Sequence, residues 1–196
     1  MITFAAAVFF LLITPGPGVL SVAGVGSSFG YRPGAWFIFG LCIGTNTVAV
    51  VVVSGLAAAV LAHGGVRTVL FFASFGYLLY LAARIALAGS RIAFIEKARP
   101  PGFRDALILQ ALNPKAYAVN TALFTGFPLG VGYGAEVAIK FVVINAIWIP
   151  IHFLWLWAGV GLRRLDLPAP VQRAINVAMA ASMVAVVALA ALSYQS

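Results

Sequence analysis

Acidic side chains are nearly missing from this chain: 196 residues carry four Asp and Glu against twelve Lys and Arg, a formal net charge of +8. Charged residues of both signs amount to 8% and hydrophobic residues to 63%, where soluble domains average about 25% charged. So little polar surface cannot cover a soluble fold, and residues 1–196 read as one membrane domain. The single cysteine, Cys42, excludes an intramolecular disulfide, a C-x-x-C redox pair and a thiolate cluster for metal. Between Leu41 and Ile43 it reads as a packed, inert thiol. Glu96, Asp105 and Asp166 fall in loops and Glu136 opens a span, so acidic relays inside the membrane are excluded. With scattered histidines and no paired carboxylates, no metal site and no cofactor are expected. Ser54 and Ser74 have no acid or base partner by motif, which argues against a membrane-embedded enzyme. The positive charge does not point to nucleic acid, because the basic residues cluster between apolar runs instead of interleaving with exposed aromatics.

What is present is apolar length. Six spans can be drawn, at about Thr3–Ser27, Gly34–Ala62, Val66–Ala88, Ala106–Phe127, Glu136–Leu162 and Ala174–Tyr194. Each exceeds the ~20 residues a helix needs to cross a ~30 Å hydrocarbon core. The first has no Lys or Arg before Phe10 and precedes no soluble domain, so it reads as a retained span and not as a cleaved signal peptide. Loops one, three and five with their flanks hold Arg32; Arg84, Arg91, Lys97, Arg99 and Arg104; and Arg163, Arg164 and Arg173. The opposite side holds Arg67 and Lys140. The positive-inside rule then predicts a cytoplasmic basic loop at about 89–105 and both termini outside. A re-entrant fourth span, polar at Gln110, Asn113, Lys115, Asn120 and Thr121, would give five crossings instead.

Two proline breaks interrupt the apolar spans, Thr14-Pro15-Gly16-Pro17-Gly18 and Asn113-Pro114-Lys115, with Pro15 and Pro114 99 positions apart. The same shift carries Asn46 onto Asn145. Two halves of three spans, about 1–90 and 104–196, follow from this register. An odd number of spans makes the second half insert upside down, which is the inverted-repeat plan of transporters with the site between the halves. The expected fold is all-α: six transmembrane helices in two inverted three-helix repeats, helices one and four broken by proline. Each proline withdraws a hydrogen bond from the carbonyl four residues back, Leu11 or Gln110. Lipid cannot replace that bond, so the break belongs inside protein or beside a water-filled cavity.

These breaks supply the candidate site. Pro15 lies 12 residues past Thr3, or ~18 Å at 1.5 Å per residue, near mid-membrane. Gly16 and Gly18 permit backbone angles that other residues resist. The half-helix beginning at Pro17 favours an anion such as a carboxylate, while carbonyls freed at Leu11 and Ile13 accept from an ammonium. One break thus offers a partner to each end of a zwitterion; the bland reading is a packing kink. Lys115 is an intramembrane ionisable group, a functional residue by default at a cost of ~2.5 to 3.5 kcal/mol on insertion scales. It holds a substrate carboxylate or the carbonyls freed by Pro114, or else snorkels to the cytoplasmic face. Asn46 and Asn145 either serve the site or hydrogen-bond across helices. His152, among Trp148, Trp155 and Trp157, is the candidate for proton coupling, with a packed structural histidine as the alternative. Gly40-x-x-x-Gly44 and the row Ala178, Ser182, Ala190 allow close helix contact, within the chain or in a homodimer.

Thr14-Pro15-Gly16-Pro17, Gly30-Tyr31-Arg32-Pro33-Gly34, Gly40-x-x-x-Gly44, Gly55-Leu56, Gly76-Tyr77-Leu78-Leu79-Tyr80-Leu81 and Leu112-Asn113-Pro114-Lys115 resemble the lysine-exporter/homoserine-threonine-exporter (LysE/RhtB) family. The resemblance runs over almost the whole chain, in order and with matching spacing. It implies a bacterial inner-membrane exporter of amino acids or similar small metabolites, driven by the proton gradient. Three positions depart from the family pattern. Gly18 stands where many members carry a polar side chain, Asn46 where an acidic or other polar group is common, and Ala180 where span six usually has glycine. The reading is a transporter whose partners are a small zwitterion and the lipid bilayer; its rivals are a metal-ion exporter of the same superfamily and a membrane enzyme.

Overall fold

A computed structural model describes residues 1–14, 16–55, 62–66 and 99–165, with single positions between 69 and 83 and between 168 and 181. Among the described residues there are six helices and no strand: α1 (Ile2–Ile13), α2 (Pro17–Phe29), α3 (Tyr31–Val53), α4 (Phe103–Leu112), α5 (Pro114–Thr125) and α6 (Tyr133–Arg164). Pro15, most of spans three and six, Ser74, Ala180, Ser182, Ala190 and the loop from Arg84 through Lys97 lie outside the described residues, as does Asp166.

Both interruptions fall at the prolines, and local chemistry sets them. A residue before proline is pushed to extended backbone, and Asn113 accordingly has φ −81 and ψ 104. Its side chain accepts from the Lys115 N–H at 3.1 Å, so one residue closes α4 and caps α5. Pro17 and Pro114 occupy first helical positions, where a missing N–H costs nothing. Before the first break, the Thr14 N–H and hydroxyl both donate to the Phe10 carbonyl, at 3.3 and 2.6 Å, while ψ 126 turns the chain out of α1. α1 and α2 meet at a 52° bend.

α3 and α6 are each long and apolar enough to cross a membrane, and α1 with α2 adds a third span if the bent pair counts as one. α3 differs from the expected Gly34–Ala62. It opens at Tyr31 behind Gly30, whose φ of 89 requires glycine, and stops at Val53, where Gly55 at φ 75 takes the left-handed turn that ends helices.

Lipid offers helices no hydrophobic incentive to associate, so close backbone approach has to supply the contact. A Cβ on Gly40 would stand 2.5 Å from the Phe103 carbonyl oxygen, and one on Gly44 2.8 Å from Gln110 Cβ. The Gly40/Gly44 pair therefore seats α4 on α3 and serves internal packing. On the other flank Gly159 of α6 lies against the Ala23 carbonyl of α2 with no space for a side chain. Two apolar clusters result. Val22, Val25, Phe37, Leu41, Leu109 and Leu156 form one, and Phe4, Val8, Val119, Leu123 and Ile144 the other.

A shift of 99 residues carries α1 onto α4, α2 onto α5 and α3 onto α6. The helix contacts respect that exchange. α1–α6 answers α3–α4, α2–α6 answers α3–α5, α2–α3 answers α5–α6, α1–α5 answers α2–α4, and α3–α6 maps onto itself. At that self-mapped contact the Asn46 and Asn145 amides exchange hydrogen bonds of 2.9 and 2.8 Å. Each also donates to its own helix four residues back, Asn46 to Cys42 and Asn145 to Phe141, again 99 apart.

Lys140 is not a loop charge. It is 1% exposed, bonded to Glu136 at 2.7 Å and to the Phe124 carbonyl at 2.9 Å, with the Phe4 ring 5.7 Å away. Its ammonium neutralises the carbonyl end of α5, and Glu136 uses its other oxygen to accept from the Leu129 N–H at 3.0 Å. Lys140 therefore drops out of the count of loop charges.

Candidate functional site

The two breaks meet through Lys115. This second residue of α5 reaches across to the first half, and its Nζ donates to the Thr14 carbonyl at 2.6 Å. In an uninterrupted helix that carbonyl would accept from the amide of residue 18; the turn at Thr14 releases it. The lysine does not bind a carbonyl freed by its own proline, since that of Gln110 accepts from the Asn113 N–H at 3.2 Å. It serves the opposite break instead. Gly16 is extended at φ −161, a backbone any residue adopts, so conformation is not what requires glycine there. Space is: a Cβ would stand 2.8 Å from Lys115 Cδ and 3.1 Å from Nζ.

Beside this contact lies a narrow cleft, open on one side. Thr14, Gly16 and Gly18 line it from the first break, Asn113 and Lys115 from the second, and His152 from α6. Pro17 and Pro114 shape the helix starts without lining it, and Asn46 and Asn145 stand outside it, each engaged by the other. Gln110, Asn120, Thr45 and Trp148 also line the cleft. Gln110 accepts from the Asn113 amide at 2.8 Å, and Asn120 donates to the Ala116 carbonyl at 2.8 Å. Sequence reasoning used Gln110 and Asn120 only to mark a polar span. Their signal was present, because three buried amides within one largely apolar stretch need a common polar surface.

His152 is fixed on two sides. Its Nδ1–H donates to the Trp148 carbonyl at 2.8 Å, and its ring stacks on the Trp148 indole with centroids 3.4 Å apart. A carbonyl only accepts, so Nδ1 carries a proton and Nε2 is left to face Gly18, 3.7 Å from where a Cβ would be. Gly18 thus leaves the imidazole open to the cleft.

The arrangement can hold opposite charges a short distance apart. A released carbonyl accepts cationic donors, and the first turn of α2 presents amides and the positive end of a helix dipole. Catalytic chemistry finds less support. Gly26-Ser27-Ser28-Phe29-Gly30 has the spacing of a nucleophile elbow, but Ser28 lies inside α2 and not at a strand-to-helix turn, with its buried hydroxyl unpartnered. Among the described residues no group of three His, Cys, Asp or Glu is placed to hold a metal.

Apolar helices interrupted at paired prolines, with a polar cleft where the interruptions meet, define a membrane transporter. The chain belongs to the LysE type translocator family, whose sequence model matches residues 9–195. It is a multi-pass membrane protein. No curated protein and no solved structure matches it.

Proposed function

We propose that this protein is a secondary transporter that exports a small zwitterionic metabolite, a neutral amino acid, across the bacterial inner membrane in exchange for protons. One observation carries the reading: the released Thr14 carbonyl and the first turn of α2 border the same cleft. The substrate ammonium takes the carbonyl and the carboxylate takes the helix start, so the first break binds both ends of an amino acid. Asn113 and Lys115 complete the cleft from the second break, while Pro17 and Pro114 start the helices that follow the breaks. Asn46 and Asn145 join the halves beside it.

A cationic side chain finds no partner here. Among the described residues no carboxylate lines the cleft, and Glu136 is engaged by Lys140. A second buried cation would be uncompensated, so leucine, threonine or homoserine is favoured over lysine or arginine. In the membrane, six spans form two inverted repeats with both termini outside; the helix exchange at 99 residues and the basic loops support that arrangement.

Uptake into inverted vesicles reproduces export. Saturable uptake of a neutral amino acid, accelerated by an acidic interior, is expected. Uptake of lysine with none of any neutral amino acid would refute the charge argument.

A further inference from the structure

We propose that Lys115 is the proton carrier of the exchange and that it works by occupying the substrate's own place: its ammonium and the substrate ammonium compete for the Thr14 carbonyl. This rests on the export of a zwitterion proposed above. It assigns the coupling to a residue on the break, where the sequence pattern had pointed to His152.

The geometry makes the two cations exclusive. Lys115 Nζ already sits 2.6 Å from the Thr14 oxygen, and the methylenes behind it fill the space beside Gly16. A substrate ammonium that takes this oxygen has to move the lysine away. Both cations would have to share the one oxygen at the edge of this narrow cleft. Among the described residues, the groups facing the lysine offer no counter-charge. α1 presents Leu11, Leu12 and the Thr14 backbone, α2 presents Gly16, Gly18 and Val19, α3 presents Thr45, and α4 presents Gln110 with the Asn113 cap. On α6 the one titratable neighbour is His152, itself basic. Tyr117 of α5 donates its hydroxyl to the Ala111 carbonyl. Two ammonium groups side by side in this half-buried cleft, with no carboxylate between them, repel each other. Lysine can escape that repulsion as arginine cannot, by giving up a proton.

The cycle conserves protons. A zwitterion entering from the cytoplasm places its ammonium on Thr14; a Lys115 N–H bond breaks and the proton passes to water on the cytoplasmic side. After the substrate leaves outward, the free amine takes a proton from external water, and the ammonium returns to the carbonyl. One proton enters for each zwitterion exported. His152 is less suited to the part, because its Nδ1 bond and its stacking on Trp148 hold it in place.

Two measurements test this. In lightly buffered detergent solution, purified protein titrated with homoserine, threonine and leucine should release about one proton per zwitterion bound. Saturable binding with no proton released would overturn the proposal. In proteoliposomes with the potential clamped by valinomycin and equal potassium, a one-unit pH gradient should support about tenfold accumulation by the wild type. Lys115→Met should still exchange labelled for unlabelled substrate, yet accumulate to a ratio of about 1, its driving proton lost. Lys115→Arg should block exchange as well, by holding a permanent cation on Thr14. His152→Gln should still accumulate substrate against the gradient, at whatever rate. Gradient-driven accumulation by Lys115→Met, or its loss in His152→Gln alone, would move the coupling away from Lys115. Absence of any neutral amino-acid exchange by the wild type would refute the exporter reading itself.

Discussion

The reciprocal amide pair between α3 and α6 permits a quantitative test of how the halves are joined. Asn46 and Asn145 exchange two hydrogen bonds of 2.9 and 2.8 Å, and each satisfies its remaining N–H on its own helix. Both are half-buried. Polar contacts between membrane helices average about 0.6 kcal/mol and reach about 1.7, so two bonds predict a coupling of about 1 to 2 kcal/mol. Asn145→Leu strands the Asn46 amide and should cost about 1 to 3 kcal/mol. The double variant Asn46→Leu/Asn145→Leu leaves no amide to strand and should regain most of that loss. A double-mutant cycle on reversible unfolding in mixed detergent micelles isolates the term. A coupling below about 0.3 kcal/mol, within ordinary additivity error, would mean that each amide finds another partner and that the pair does not bind the halves. Transport by the double variant provides a second reading. Because the pair stands outside the cleft, KM for the substrate should hold even if stability falls; a large rise in KM would return these residues to the binding site.

Two further outcomes are expected. Glu136→Leu should lower thermal stability more than the double variant Glu136→Leu/Lys140→Met, since the single change leaves a cation that is 1% exposed without its carboxylate; the reverse order in a detergent melting assay would show that the pair is dispensable. Reporter fusions at Ser196 and within Arg91 to Arg104 should give opposite signals, the first external, because the basic residues concentrate in alternate loops. A cytoplasmic Ser196 together with a cytoplasmic third loop would end the inverted-repeat reading.

The breaks were legible in the sequence because proline acts locally. It forbids its own N–H and constrains the preceding residue whatever surrounds it, so Thr14 and Asn113 could be read as helix ends without knowing their neighbours. The end of α3 was less legible. Apolar residues continue past Val53, and only the backbone shows Gly55 turning left-handed. The partner of Lys115 was out of reach for a different reason. A lysine stem spans several ångströms in any direction, and the freed carbonyl it found belongs to a residue 101 positions away. Lys140 misled because a positive charge near a span end usually faces water. The clue was Glu136 four residues earlier, a spacing that places opposite charges together on one helix face.

The 99-residue register also exposes a difference between the halves that neither half shows alone. Phe4, Phe124, Glu136 and Lys140, gathered around one ammonium, answer in sequence to Phe103, Val25, Phe37 and Leu41. The second set is apolar throughout, and Val25, Phe37 and Leu41 are 0% exposed. Equivalent positions are thus filled by an ion pair in one place and by a dry contact in the other. Opening the apolar set to water costs about 1.5 to 3 kcal/mol for each fully exposed side chain. Opening the charged set returns two ions to the solvent that prefers them, offsetting the loss of their contact. With Glu136 and Lys140 where the other set has Phe37 and Leu41, the contact beside α5 and α6 is the easier of the two to hydrate.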